Sequence, residues 1–207
     1  MICRIKSILF ISLFVLHTSN SSAEGELPSI QSPSVLIESL KGGNLIIYMR
    51  HGPTEMNIKA SNANAVDFGS CESQRNLSEA GLSQVQRLGA SIKLLNIPIG
   101  QVKSSPYCRT KDTAQAVFGR FEIDENLQFS LSKSPEESAI LGRYLLDSML
   151  GSNDVEKNTV YVGHTANLKD GLGVWPKPEG VMVIFKKEGN KVIFKGIIKP
   201  ADWPQAQ

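Results

Sequence analysis

Two short apolar runs, each closed by a histidine, set the tightest limit on how this chain can fold. Leu45-Ile46-Ile47-Tyr48-Met49 leads into Arg50-His51-Gly52, and Thr159-Val160-Tyr161-Val162-Gly163 ends at His164. Runs of this length and type read as buried strands, and Gly52 lets the chain turn away after the first. In open α/β sheets the carboxyl ends of the strands are where ligands sit. Both histidines fall there, and the remaining one, His17, lies in the amino-terminal segment.

Strands and helical patterns alternate along the chain. Ser34 to Leu40 has helical spacing and stops at Gly42-Gly43. Pro53 to Arg75 is long, polar and without periodicity, which inside a compact domain points to a functional or a mobile segment. Ser78 caps a helix whose Leu82, Val85, Leu88, Ile92 and Leu95 form one apolar stripe. Gln101 to Ser104 is a strand candidate. Ser105-Pro106 turns into a second helix over Tyr107 to Val117, with Thr113, Ala114 and Val117 inward. Phe121 to Phe129 stays ambiguous between strand and loop. Ser134-Pro135-Glu136-Glu137 is a helix start, with a cap, a proline in the first turn and acids against the dipole. Ile140, Leu141, Tyr144, Leu145 and Met149 continue that helix. After a Gly- and Pro-rich connection, Val181 to Lys186 and Val192 to Ile198 flank Glu188-Gly189-Asn190 as a hairpin. The expected fold class is α/β: a three-layer αβα sandwich with a mixed, mostly parallel sheet, helices on both faces and a C-terminal antiparallel hairpin.

Arg4 and Lys6, then the apolar run Ile8 to Leu16, then small polar residues with Ser21 and Ala23, follow the order of a secretory signal. The competing reading is a membrane anchor, but the apolar core is short for a bilayer. The expectation is a signal over residues 1–23 and a single domain over residues 24–207, with no transmembrane anchor after removal and a periplasmic or secreted location. Formal charge is +2, and two of the cations belong to the signal, so the expected mature chain is near neutral. Nothing in that balance points to a nucleic-acid footprint or a basic membrane face, and any basic site must be local. Cys71 and Cys108 remain; an exporting compartment is oxidising and favours a disulfide, with two buried thiols as the alternative. Two cysteines and two histidines at these separations make no zinc pattern, and no metal or organic cofactor is expected.

Three places put a cation or an imidazole just after a strand: Arg50 with His51, Arg109 at a helix start, and His164. Two guanidiniums and an imidazole converging on one point would bind a phosphoryl group, since the planar fork of arginine matches phosphate oxygens. A neutral histidine beside it can attack phosphorus, splitting one displacement into two. The surrounding cations would stabilise the transition state. Taken one at a time, each of these residues also reads as structural.

The motifs then become specific. Arg50-His51-Gly52-Pro53-Thr54-Glu55-Met56-Asn57 resembles the Arg-His-Gly-x-Thr-x-x-Asn signature of the histidine phosphatase superfamily, the phosphoglycerate-mutase-like proteins. Leu77-Ser78-Glu79-Ala80-Gly81 resembles its Leu-Ser/Thr-x-x-Gly helix start. Ser104-Ser105-Pro106 with Arg109 and Thr113-Ala114 resembles its Ser-Ser-Pro segment, and Val162-Gly163-His164 its second histidine motif. The resemblance, to an exported member of the branch 1 type, implies His51 as the nucleophile that becomes phosphohistidine. Arg50, Arg109 and His164 complete the phosphate pocket, and Thr54, Asn57 and Arg75 are candidate substrate contacts. Many members carry a glutamate that protonates the leaving group. Here Asp124-Glu125-Asn126-Leu127-Gln128 departs from that pattern, leaving Glu125, Glu136 and Glu137 as candidates.

The implied activity is hydrolysis of a small phosphomonoester, such as a sugar phosphate or envelope glycan, with no nucleic-acid partner. Four readings compete with a general phosphatase: a mutase, a phosphate- or sugar-phosphate-binding module with little catalysis, a lipopolysaccharide-core sugar phosphatase specifically, and a protein phosphohistidine phosphatase, which an exported location disfavours. Trp175 and Trp203 read as packing residues rather than substrate platforms.

Overall fold

Alternation of apolar side chains along the central strands sorts the helices into two layers. The computed structural model describes residues 30–55 and 66–204; the expected signal over residues 1–23 and the candidate Asn57 lie outside them. The elements are α1 (Pro33–Leu40), β1 (Ile46–Arg50), α2 (Glu79–Leu94), β2 (Ile99–Ser104), α3 (Cys108–Phe118), β3 (Glu122–Ile123), α4 (Pro135–Leu150), β4 (Asn158–Gly163), α5 (Thr165–Leu172), β5 (Met182–Glu188) and β6 (Lys191–Ile198). One six-stranded sheet runs in the order β3-β2-β4-β1-β5-β6. The first four of these are parallel, and β5 and β6 return antiparallel as the C-terminal hairpin.

Ile47 and Met49 of β1, with Val160 and Val162 of β4, meet α1, α2 and α3 through Leu36, Leu40, Val85, Leu88, Ile92, Ala114 and Val117. Ile46 and Tyr48, on the opposite face, meet Leu145 and Met149 of α4 and Leu168 of α5. The period of two in the strands thus makes the three layers. Every residue of β4 is buried, as a strand covered on both faces requires.

Helix starts follow their local chemistry. Ser78 Oγ accepts the Gly81 N–H at 3.0 Å. Ser134 and Glu137 form a reciprocal capping box, which is the role the structure gives Glu137. The hairpin turns through Gly189, at φ +58°. Some expectations shift. Leu82 is 40% exposed and Ile140 56%, because each lies at the edge of its stripe rather than on the face turned to the sheet. The ambiguous Phe121–Phe129 segment holds the two-residue β3 followed by a 3₁₀ turn over Glu125–Leu127. The helix α5 was not expected: Gly171 and Gly173 mask its short pattern, and Gly173 ends it in the left-handed region at φ +72°.

Candidate active site

The register of the parallel strands brings the two histidines together. Arg50 lies opposite Gly163, so His51 and His164 follow at the same edge of the sheet, and the His51 N–H donates to the Gly163 carbonyl at 3.1 Å. Their ring centroids are 5.5 Å apart. Ser104 at the end of β2 pairs with Val162, so the turn into α3 delivers Arg109 to the same place. Arg109 Nη2 donates to His164 Nδ1 at 3.2 Å.

These bonds determine where the ring protons sit. A guanidinium only donates, so His164 Nδ1 must accept. Its proton is then on Nε2, which donates to Ser105 Oγ at 2.9 Å. A carbonyl only accepts, so His51 Nδ1, 2.9 Å from the Gly52 carbonyl, carries the proton and Nε2 carries the lone pair. Burial is the main force holding both imidazoles well below the usual histidine pKa, and the field of Arg109 adds to it. Both rings are neutral at neutral pH. Burial also brings Arg109 down to about 10, with Arg75 contributing, which leaves it charged.

The motif residues that surround this pair act mainly on the backbone. The Ser78 N–H donates to the Pro53 carbonyl at 3.0 Å, and a Cβ at Gly81 would run into that same carbonyl oxygen. The start of α2 therefore rests directly on the Arg-His-Gly-Pro turn, which is why the motif needs a glycine three residues after the cap. Thr113 Oγ1 accepts the Gly52 N–H at 3.0 Å and donates to the Arg109 carbonyl at 2.7 Å. It thereby locks α3 to the turn that holds His51.

Several contributors have no counterpart in the sequence reading. Glu179 accepts from Arg50 Nη2 at 2.9 Å, from Arg75 Nη2 at 3.4 Å and from the Thr54 N–H at 3.2 Å. It comes from the connection before β5, 129 residues beyond Arg50, and no motif marks it. Tyr48, fully buried, donates its hydroxyl to the His164 carbonyl at 2.8 Å and accepts the His164 N–H at 3.0 Å. Its place in a buried apolar strand was the available signal, since a hydroxyl there needs a partner. Tyr107 packs edge-on to the His164 ring at 4.9 Å and lies under the Arg109 guanidinium at 4.5 Å.

Arg50, His51, Arg75, Arg109 and His164 all line one cavity of about 270 Å³, with Phe129, Leu131, Thr165, Ala166, Trp175 and Lys177 as its other walls. Thr54 lies behind it; its Oγ1, with Arg50 Nε, Arg109 Nε and Thr165 Oγ1, is a buried polar atom without a partner. Such a group of orphaned donors suits an anion. The three candidate acids are elsewhere. Glu125, Glu136 and Glu137 are exposed, Glu137 serves the helix cap, and among the described residues no carboxylate lines the cavity. Cys71 and Cys108 are joined, with Cα atoms 5.8 Å apart. The bridge ties the loop carrying Arg75 to the first residue of α3, and Gln74 Oε1 accepts the Cys108 N–H beside it at 3.0 Å. Trp203 is buried as expected, whereas Trp175 is 46% exposed at the cavity. Among the described residues no three His, Cys, Asp or Glu side chains cluster as metal ligands would, and no helix is long and apolar enough to cross a membrane.

Comparison with known proteins agrees with this geometry. Residues 46–129 match the family described as Histidine phosphatase superfamily (branch 1); the match takes in His51 and Arg109 and stops before His164. The protein histidine phosphatase SixA, solved with tungstate, superposes with a TM-score of 0.56 at 14% identity over 76% of this chain and 98% of its own. A phosphoserine phosphatase from Entamoeba histolytica, solved with phosphoserine, gives 0.56 at 17% identity over 76% and 98%. A mycobacterial glucosyl-3-phosphoglycerate phosphatase, solved with VO3, gives 0.51 at 14% over 73% and 96%. At these identities the likeness is one of fold. No curated protein matches.

Proposed function

We propose that this chain, whose residues 46–129 match the histidine phosphatase superfamily (branch 1), is a member of that family and an exported phosphatase that hydrolyses small phosphomonoesters through a phosphohistidine on His51. The observation that carries this reading is the state of His51. Its ring is neutral, its Nδ1 proton is committed to the Gly52 carbonyl and its Nε2 lone pair is available, in a cavity shared with Arg50, Arg75, Arg109 and His164.

The substrate phosphoryl group sits among the three guanidiniums, which take up the charge on its oxygens. His51 Nε2 attacks phosphorus, a P–N bond forms, and the P–O bond to the alcohol breaks. The Nδ1–H bond to the Gly52 carbonyl stabilises the imidazolium that develops. Water then attacks the phosphohistidine, the P–N bond breaks, and inorganic phosphate leaves with the ring restored. His164, held by Arg109 and Ser105, orients the guanidinium that faces the phosphoryl oxygens. Among the described residues no carboxylate lines the cavity; the departing oxygen then takes its proton from solvent, and the rate depends steeply on how acidic the alcohol is.

The solved relatives bound to phosphoserine and to phosphate-like anions fit a small phosphorylated substrate. Export is supported by the signal-like order of residues 1–23 and by the Cys71–Cys108 bridge, which suits an oxidising compartment. The test uses the full mature chain and an aryl phosphate. His51→Ala abolishes phosphate release, and EDTA leaves the wild type active. Phosphate release that survives the substitution rejects the role of His51, and loss of activity in EDTA rejects a metal-free mechanism.

A further inference from the structure

The cavity has two unlike halves. Arg50, Arg75, Arg109 and the histidines form one. The other holds Phe129, Leu131, Trp175 and Lys177. Leu131 is 68% exposed and Trp175 46%. A single exposed apolar side chain needs no explanation, but here two large ones stand at the mouth of one cationic cavity. Lys169 Nζ lies 5.6 Å from the centre of the Trp175 ring, keeping a further cation at this rim.

Charge points the same way. Among the described residues four cations line the cavity, and one carboxylate, Glu179, pairs with two of them. That leaves three positive charges in excess, whereas a phosphomonoester dianion brings two negative ones. The cation left over by that count is Lys177, on the same wall as Trp175.

Both residues are held in a fixed relation to the phosphate half. Trp175-Pro176-Lys177-Pro178-Glu179 is one short segment with two prolines, which limit its freedom. Arg50 Nη1 donates to the Pro176 carbonyl at 3.4 Å and Arg50 Nη2 to Glu179 at 2.9 Å. The segment is thus anchored to a phosphate-binding arginine at two points on either side of Lys177.

We propose that Trp175, Leu131 and Lys177 form a leaving-group subsite that selects phosphomonoesters whose alcohol is a ring carrying a second anionic group. The ring lies against Trp175 and Leu131, and its anion meets Lys177. This rests on the phosphatase reading above and adds the substrate class to it.

Three probes separate the parts: glycerol phosphate, with no ring; 4-carbamoylphenyl phosphate, with a neutral ring; and 4-carboxyphenyl phosphate, with an anionic ring. The mature wild-type enzyme is expected to favour the carboxy over the carbamoyl ester in kcat/KM by about threefold at low salt, the scale of one exposed ion pair, and added salt removes the difference. Lys177→Gln abolishes that preference and leaves the carbamoyl ester unchanged. Trp175→Ala raises KM for both ring esters on the order of tenfold, spares glycerol phosphate, and is rescued by Trp175→Phe. Equal use of the two ring esters by the wild type, or a preference that survives Lys177→Gln, overturns the anionic part. Equal losses on all three probes in Trp175→Ala overturn the platform. Absence of phosphate release from all three by the wild type instead overturns the phosphatase reading itself.

Discussion

His51 and His164 face one another in opposite tautomers, each imposed by a partner that cannot change its own role. The Gly52 carbonyl can only accept and the Arg109 guanidinium can only donate. Nitrogen-15 spectra of the protein are therefore expected to show His51 protonated at Nδ1 and His164 at Nε2, with both rings neutral at pH 6.5. The same shifts carry a stability consequence. Because the folded pKa values lie below the unfolded value of about 6.5, the unfolded chain binds protons first as pH falls. Stability is full above that pH and is lost as pH drops toward the depressed folded values. Rings that titrate near 6.5 in the folded protein, or a His51 signal of the Nε2–H form, would contradict the arrangement. At this scale His51, Arg50, Arg109 and His164 were legible because each ends a strand or opens a helix. Glu179 was not. It lies in a Gly- and Pro-rich connection whose path over the sheet edge depends on β5 pairing with β1, which no local pattern states.

The elements contribute position. The β1–β4 register sets the distance between the histidines, and the Tyr48 hydroxyl of β1 fastens the backbone of His164 at the junction of β4 and α5. Alternation and capping made most of these elements visible beforehand, since buried strands and capped helices leave local marks. The short helix α5 left none, because Gly171 interrupts its pattern and Gly173 ends it after eight residues. The Cys71–Cys108 bridge does for the loop what register does for the strands, holding the segment with Arg75 against α3. Closing a loop of 37 residues contributes roughly 3–4 kcal/mol. Reduction with dithiothreitol should then lower the thermal midpoint by on the order of 10 °C and raise KM for a phosphomonoester, since Arg75 loses its tether. A midpoint and KM unchanged by reduction, with both thiols shown to be open to labelling, would remove the bridge from the account.

At the scale of the whole molecule, three parallel strands end at one edge, and each delivers a cation or an imidazole to the same cavity. The sheet places the groups and the helices on both faces bury them, which is what keeps two imidazoles neutral beside three guanidiniums. Trp175 shows the limit of reading this from sequence. Composition made it a packing residue, and only the fold sets it at the cavity mouth. The organisation of the molecule has one chemical meaning if a phosphoryl group moves onto His51. Rapid-quench mixing of the protein with a phosphorus-32 aryl phosphate, followed by peptide mapping, measures this directly. The account predicts an acid-labile, base-stable label on the His51 peptide that forms and decays at the rate of turnover and is missing in His51→Ala. Turnover without any label on His51, or label on another residue, would contradict it.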